Sequence, residues 1–276
     1  MPFTAITNLV SNTGVVATDT AGVGTARADL AAATYGTDKA IFGYGNGMGV
    51  GDNSMTNLVS NTGVVATDTA GVGTARTSLA AAGYGTDKAI FGYGLAGSSK
   101  VSISNLVSNT GVVATDTTGV GTGRYGLAAT TYGTDKAIFG YGFTTTDKSM
   151  TNLVSNTGVV ATDTAGVGTA RNNLAAATYG TDKAIFGYGG GNKSMTNLVS
   201  NTGVVATDTT GVGTGRSGVA AASYGGDKAL FGYGYNSVSA YLTTTNLVSN
   251  TGVVATDTAG VGTARNNLAA AGYSQS

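Results

Sequence analysis

Short apolar segments alternate with turn residues along the whole chain. In one stretch the apolar segments are residues 79–84, 88–93, 105–108 and 111–115. The spacers between them carry turn chemistry, with Gly-Thr-Asp at 85–87 and Asn-Thr at 109–110. Links this short join antiparallel neighbours. The pattern therefore predicts a four-stranded antiparallel meander.

The meander is repeated along the chain. The tetrapeptide Asn-Leu-Val-Ser begins at Asn8, Asn57, Asn105, Asn152, Asn197 and Asn246, so the period is 45 to 49 residues. Leucine-rich, tetratricopeptide and ankyrin repeats are shorter, whereas four-stranded propeller blades have this period. A lone four-stranded sheet cannot bury both faces, and packing copies around an axis solves that problem. We predict that residues 1–276 form a single all-β domain, a six-bladed β-propeller with the Leu-Ala-Ala-Ala strand innermost and the Val-Val strand outermost.

The two chain ends share one copy of the repeat. The chain starts at a third and fourth strand, residues 8–18, and ends in a first strand, residues 268–273, while the Lys-Ala-Ile-Phe type of second strand occurs only five times. Pairing of the N- and C-terminal strands would close the ring, with residues 3–6 available to fill the gap. Two alternatives remain open. In the first, the Asn-Leu-Val-Ser strand is innermost and the sixth blade lacks only an outer edge. In the second, five blades are complete and a neighbouring chain completes the sixth.

Residues 124–129, the turn 133–135 and the segment 136–142 resemble the Kelch repeat. That family has an arginine before the inner strand and an apolar second strand that ends in a glycine pair. Here the pair is Gly-Tyr-Gly, and Gly-Val-Val-Ala stands where the family has a tryptophan. The resemblance covers five full copies and one split copy, and it implies a β-propeller. The near-identical copies also resemble repeat proteins of phage tails, which implies a virion or extracellular location.

Composition narrows the function further. The chain has 46 Gly, 14 Tyr and 1 Pro, with no Cys, His or Trp, and all its acidic residues are Asp. Few polar helix formers and many strand and turn residues favour β structure. A net charge of zero argues against nucleic acid and is compatible with self-association or assembly with other structural proteins. No apolar run reaches the roughly 18 residues of a membrane span, and no signal peptide is visible.

An arginine and an aspartate recur at fixed repeat positions. The arginines, just before each inner strand, are Arg27, Arg76, Arg124, Arg171, Arg216 and Arg265. The aspartates, eight residues earlier, are Asp19, Asp68, Asp116, Asp163, Asp208 and Asp257. We predict bidentate pairs across the connecting loop that tie one blade to the next. The alternative is a ring of guanidinium groups at the channel mouth that binds an anion or an acidic sugar.

The residue types argue against catalysis, metal binding and cofactors. A second aspartate set, Asp38, Asp87, Asp135, Asp182 and Asp227, occupies hairpin turns, where Asx-turn chemistry explains it. These carboxylates are isolated, whereas calcium needs several converging oxygens. A copper oxidase would need His and Cys ligands. Near-identical copies also offer no unique constellation of groups, so we predict no enzyme activity and no cofactor.

The copies differ mainly in the link between second and third strands. The links are residues 46–54, 95–103, 143–149, 190–194 and 235–244. Loops that vary on a rigid scaffold are common binding surfaces. The candidate stacking residues are Tyr44, Tyr93, Tyr141, Tyr188, Tyr233 and Tyr235, and core packing is the alternative for the five in Gly-Tyr-Gly. We predict a non-catalytic structural or binding propeller that presents these loops to a partner such as a cell-surface glycan. The alternatives are a self-assembling architectural subunit and a polysaccharide-acting enzyme.

Overall fold

The computed structural model describes residues 3–238 and 240–273, and the regular secondary structure of that part is all β-strand. Five three-stranded antiparallel sheets share one order, in which an inner, a second and a third strand follow each other. Within these ranges no helix is long and apolar enough to cross a membrane. The prediction of an all-β repeat fold is confirmed.

We number the five complete units in chain order. Their inner strands are Ala31–Tyr35, Ala80–Tyr84, Ala128–Tyr132, Ala175–Tyr179 and Ala220–Tyr224. Their second strands are Lys39–Gly43, Lys88–Gly92, Lys136–Gly140, Lys183–Gly187 and Lys228–Gly232. Their third strands are Thr56–Val59, Ser104–Val107, Thr151–Val154, Thr196–Val199 and Thr245–Val248. The second strand is therefore paired along both edges.

The turn chemistry sets the register inside each unit. Gly36 and Thr37 adopt left-handed φ angles of 59° and 69°, so the chain reverses in three residues and Tyr35 lies opposite Lys39. Such a φ suits glycine and is uncommon for threonine. The inner strands of consecutive complete units pack side by side. Their alanines are small enough for this crowded position.

The predicted fourth strand is only partly a strand. In unit 1 it meets the third strand at two isolated bridges, Val59↔Val65 and Thr56↔Thr69. The two bridges lie three residues apart on one strand and four on the other, which marks a β-bulge. Asn57 Nδ2 fills the interruption by donating to Ala66 O at 3.0 Å and to Asp68 Oδ1 at 2.8 Å. The prediction of four-stranded blades is corrected to three-stranded sheets with a bulged fourth segment, because this side chain replaces ladder bonds.

Backbone hydrogen bonds link all the repeats just before their inner strands. One residue of each repeat donates its N–H to the C=O of the equivalent residue in the preceding repeat, at 2.7 to 3.0 Å. The residues are Asp29, Ser78, Gly126, Asn173, Gly218 and Asn267, and the N–H of Asp29 donates to Asn267 O. All six have left-handed φ angles between 48° and 61°. The first and last repeats are therefore hydrogen-bonded neighbours.

Segments of the two chain ends lie between units 5 and 1, and we call them together the split unit. Its third strand, residues 7–10, meets its fourth segment, residues 16–20, at the same two kinds of bridge as in the complete units. Its inner segment is residues 268–272, where Gly272 O accepts a bond of 2.9 Å from Thr34 Oγ1 of unit 1. Among the described residues no second strand lies between 7–10 and 268–272.

Residues 3–6 do not supply that strand. They form no ladder, and Ala5 packs against Gly22 as Ser54 packs against Gly71 in unit 1. The segment therefore follows the course of the linkers that enter a third strand. The expectation that residues 3–6 fill the gap is corrected, because these residues are needed to lead into Thr7.

Candidate functional site

The repeat arginine lies at the junction between two units. Nε of Arg124 donates to Tyr141 O at 2.8 Å and Nη2 to Asn152 Oδ1 at 2.7 Å, both within unit 3. Its guanidinium lies over the ring of Tyr93 of unit 2, 4.4 Å from the centroid. Equivalent contacts are made by Arg76, Arg171 and Arg216. The group stabilises the junction by bonding one unit and stacking on the other.

The aspartate partner differs from the predicted one. Nη1 of Arg124 lies 3.8 Å from Asp163, in the fourth segment of its own unit, and not beside Asp116, eight residues earlier. Such single contacts of 3.7 to 3.9 Å also join Arg27 to Asp68, Arg76 to Asp116, Arg171 to Asp208 and Arg265 to Asp19. Asp163 accepts its short bonds from Thr122 and Asn152. The bidentate prediction is corrected, because these polar groups already hold the carboxylate.

The pairing also changes what the aspartate does. Thr122 belongs to the connection that enters unit 3, and its N–H and Oγ1 donate to Asp163 Oδ2 at 3.0 and 2.6 Å. The carboxylate therefore fastens an incoming connection to the outer edge of the same unit. At this position the side-chain contact between units is made by the arginine and the tyrosine instead. Asp257 accepts the equivalent bonds from Thr214.

Four of the repeat guanidinium groups are closed to ligands because they are buried. The side chains of Arg76, Arg124, Arg171 and Arg216 are fully buried. Burial lowers the pKa of Arg124, and Tyr93 and Asp163 oppose that shift. The alternative of an anion site formed by this ring is corrected for these four, since an anion would have to displace the tyrosine packing to reach them.

Hydrogen bonding lowers the pKa of the fourth-segment aspartates. For Asp163, burial raises the pKa, but bonds from Thr122 and Asn152 outweigh it. The same balance holds for Asp68, Asp116, Asp208 and Asp257. In Asp19 the bond from Thr263 is the largest cause of a lowered pKa. The folded protein thus stabilises the charged form of all six carboxylates more than water does.

We expect stability to fall when the pH drops below about 4, the ordinary range of an aspartate. The pKa of these groups is lower in the folded than in the unfolded state, so their contribution to the free energy of unfolding is complete above the unfolded pKa. That contribution is lost as the pH falls through the folded pKa. Thermal unfolding followed from neutral pH into acid measures the effect. In D163N the acid slope should be shallower, and an unchanged slope would count against the assignment.

The five tyrosines of Gly-Tyr-Gly lie in the interior. Tyr44, Tyr93, Tyr141 and Tyr188 are 0% exposed and Tyr233 is 6% exposed. The ring of Tyr93 lies 5.1 Å from that of Phe139, and its hydroxyl donates to Val120 O at 3.1 Å. Burial raises the pKa of the first four to about 12. The predicted sugar-stacking role is corrected for these five because they lie in the interior and away from the exposed surface of the links, and Tyr235, 36% exposed, remains accessible.

The second aspartate set holds hairpins together at the end of the units that is opposite the Gly-Tyr-Gly segments. Asp38 lies 2.9 Å from Lys39 Nζ and accepts a bond of 3.1 Å from Asn61, in the hairpin between third strand and fourth segment. The pattern recurs at Asp87, Asp135, Asp182 and Asp227. In the described part of the chain no group of acidic residues is arranged to hold a metal ion.

The variable links gather at one end of the units, beside the residues that precede the inner strands. Three contain short hairpins, formed by Asn46–Gly47 with Gly51–Asp52, Leu95–Ala96 with Ser99–Lys100, and Tyr235–Asn236 with Ala240–Tyr241. Neighbouring links touch, since Gly97 N–H donates to Asp52 at 2.9 Å and Asn192 donates to Ser237 at 2.6 Å. We call this surface the loop face. It exposes Met48 and Val238 to 70% and 91%.

A cavity of about 1160 Å³ lies in the split unit and includes the adjoining part of the channel between inner strands. The segments 268–272 and 7–10 border it, as do Gly232 and Tyr233 of unit 5 and Arg27 and Phe42 of unit 1. A second strand occupies this place in every complete unit. The sequence signal was the missing copy of Lys-Ala-Ile-Phe, which indicated a gap without showing that the gap stays open.

Comparison with known proteins assigns no family to the chain. No protein-family model matches it, and no curated protein sequence matches it significantly. The buried arginines and tyrosines, the loop face and the cavity of the split unit are thus the features from which a function can be inferred.

Proposed function

We propose that the chain is a six-bladed β-propeller closed by its two ends. The support comes from contacts at the terminal junction that repeat those inside the chain. Thr263 donates to Asp19 as Thr122 donates to Asp163, and Arg265 donates to Asn8 as its equivalents do. The bonds between residues that precede the inner strands also run through all six repeats and return to the first. Closure of this kind leaves few sheet edges unpaired.

We propose that this propeller is a non-catalytic binding scaffold that presents its loop face to a partner. The observation that carries the proposal is the segregation of sequence differences to that face. The repeat arginines, tyrosines and aspartates are occupied in structural contacts, whereas the links differ in length and touch one another at one end. A rigid frame with variable loops is a common way to build a binding surface.

The loop face suits a hydroxyl-rich partner such as a cell-surface glycan. Tyr235 packs edge-on against Tyr241 with centroids 5.6 Å apart, and it is accessible for stacking on a sugar ring. Asn192 supplies an amide group close by, since its Nδ2 donates to Ser237 in the same link as Tyr235. A virion or other extracellular appendage is the setting we propose for this activity, on the resemblance to phage-tail repeats.

A second candidate is an architectural subunit that assembles with itself or with other structural proteins. It is favoured by a valine that is 65 or 66% exposed in the outer hairpin of every unit. The residues are Val15, Val64, Val112, Val159, Val204 and Val253. They lie at the end opposite the loop face, and a set of six equivalent apolar side chains is suited to contacts between copies.

A glycan array followed by sedimentation tests the two candidates. We expect selective glycan binding, weakened about tenfold or more in Y235A and kept in Y235F, because stacking needs the ring and not the hydroxyl. The matched control V204T, on the opposite face, should bind normally. Absence of glycan binding, together with assembly that rises with concentration and is lost in V204T, would favour the architectural subunit.

A further inference from the structure

We propose that the cavity of the split unit is a docking site for one extended strand of another polypeptide with the sequence type Lys-Ala-Ile-Phe-Gly-Tyr. In complete units this strand lies between inner and third strands and pairs with both. In the split unit the flanking segments are 268–272 and 7–10, with about 1160 Å³ of cavity there and in the adjoining channel. Two facing edges bind an added strand through main-chain hydrogen bonds.

Unit 5 presents a place for a phenylalanine. A Cβ on Gly187 would lie 2.7 Å from the ring of Phe231 of the next unit, and the three earlier junctions are alike. A Cβ on Gly232 would meet only aliphatic carbons, the nearest being Thr245 Cγ2 at 3.3 Å. Tyr233 likewise has no phenylalanine against its ring among the described residues, whereas Tyr188 has Phe231 at 5.1 Å. A docked phenylalanine would cover both residues.

Unit 1 presents a place for a glycine and a tyrosine. The Arg27 side chain is only 2% exposed, and among the described residues no tyrosine ring lies under its guanidinium. Its equivalents each lie over a tyrosine of the preceding unit at 4.3 to 4.4 Å. Phe42 is half-buried, whereas its four equivalents are 0% exposed. A docked tyrosine would lie under Arg27 and a docked glycine under Phe42.

Polar groups of the split unit and of unit 5 also match such a strand. Nε of Arg216 donates to Tyr233 O at 2.7 Å, but Nε of Arg265 has no equivalent carbonyl among the described residues. At the other end, Gly180 N–H donates to Asp227 O at 2.7 Å, and Gly225 N–H makes no equivalent bond to any described residue. The docked tyrosine and an aspartate before the lysine would supply the two carbonyl groups.

The complete units define the register of the docked strand. In unit 1 the isoleucine of the second strand lies opposite Ala33 and Leu58. The equivalent positions in the split unit are Ala271 and Leu9, so the docked isoleucine faces these two. A slip by one residue would exchange the two faces and remove phenylalanine from Gly232.

A second copy of the chain does not fit as the occupant. Each copy has five second strands for six units, and all five are paired within their own sheets. A copy that donated one would open an equal site in itself. The occupant is a strand other than these five that carries an aliphatic residue, phenylalanine, glycine and tyrosine in that order, and we assign it to a different polypeptide.

A labelled synthetic peptide with the sequence of residues 133–142 tests the proposal on the full chain. Fluorescence anisotropy should show saturable one-to-one binding with a Kd of about 10 µM or tighter. The thermal midpoint should rise with peptide concentration, because the ligand binds only the folded state. A peptide with Gly140→Val should bind at least about tenfold more weakly, since its branched side chain meets Phe42.

The protein variant G232A separates docking from folding. Its methyl group would lie 3.3 Å from Thr245, which needs only a small adjustment, and would occupy the place of the docked phenylalanine. We expect a melt close to that of the parent chain and binding at least about tenfold weaker, with V204T unchanged. No saturable binding, or equal binding by G232A, would overturn the proposal. Dimers of the chain alone that dissociate on peptide addition would overturn the choice of occupant.

Discussion

Replacing Arg124 with methionine is expected to lower the free energy of unfolding by about 3 to 5 kcal/mol. The substitution removes the donors to Tyr141 O and Asn152 Oδ1 and the cation over Tyr93, all in the interior. Buried acceptors are then left without a donor, which is the costly part. Methionine fills much of the same volume, so the decrease in the free energy of unfolding measures the loss of the polar contacts. Thermal unfolding should show a midpoint lower by about 10 °C.

The matched variant is R27M at the junction with the split unit. Arg27 keeps one hydrogen bond, to Asn57, and two of its buried nitrogens have no partner in the described structure. Replacing Arg27 therefore removes one hydrogen bond and also removes two unpaired buried donors. We expect the free energy of unfolding to fall by about 1 kcal/mol or less. Denaturant titrations of both variants give the comparison. Equal losses would show that the junction arginines do not act through these contacts.

Raising the pH from about 10 to about 12 is expected to unfold the protein. Four tyrosines, Tyr44, Tyr93, Tyr141 and Tyr188, have pKa values raised by burial to about 12. Because the folded pKa exceeds the unfolded value, their contribution is complete below the unfolded value and is lost as the pH rises through the folded one. Two pKa units correspond to about 2 to 3 kcal/mol for each tyrosine, which together rivals the stability of an ordinary domain.

Tyrosinate absorbance and circular dichroism, recorded together, measure this transition. The exposed tyrosines should ionise first, and the buried four should ionise only as the β signal is lost. The variant Y93F has one buried phenol fewer and should unfold at a higher pH, although losing its bond to Val120 O costs about 1 kcal/mol at neutral pH. Ionisation of every tyrosine at its ordinary pKa with the fold intact would contradict the burial argument.

The two predictions concern one structural element. Each complete junction holds an arginine, a tyrosine and a phenylalanine in contact. In all four copies the guanidinium lies 4.3 to 4.4 Å from the tyrosine centroid, and the two ring centroids lie 5.1 to 5.2 Å apart. The split unit interrupts this series on both sides, at Gly232 and at Arg27. Stability measurements at complete junctions and peptide binding at the split unit therefore test the same contacts in two ways.

Much of the architecture was predictable from local sequence. The Gly-Thr-Asp turn demands left-handed φ angles, which allow a three-residue reversal between two apolar segments. The recurrence every 45 to 49 residues and the unequal count of second strands indicated the repeat and its split copy. Turn geometry and repetition act over a few residues or between identical copies, so they are visible without tertiary structure.

The roles of the charged and aromatic residues were less accessible. Spacing suggested that Arg124 pairs with Asp116, but the partner is Asp163, which the bulged fourth segment brings closer. The Gly-Tyr-Gly tyrosines were assigned both to a binding face and to the core, and no local signal separates these two. Which face of a strand is covered depends on the next unit, and the sequence of one repeat does not contain that information.

The sequence by itself determined an all-β chain of repeated antiparallel strands, one of them missing from the copy divided between the ends. Only the tertiary structure decided that the arginines stack on tyrosines of a neighbouring unit, that residues 3–6 lead into a third strand, and that a cavity stays between the chain ends. Strand and turn formation follows from local backbone preferences and side-chain alternation. Partner choice and burial arise where separate units meet, so they depend on distances that no single segment specifies.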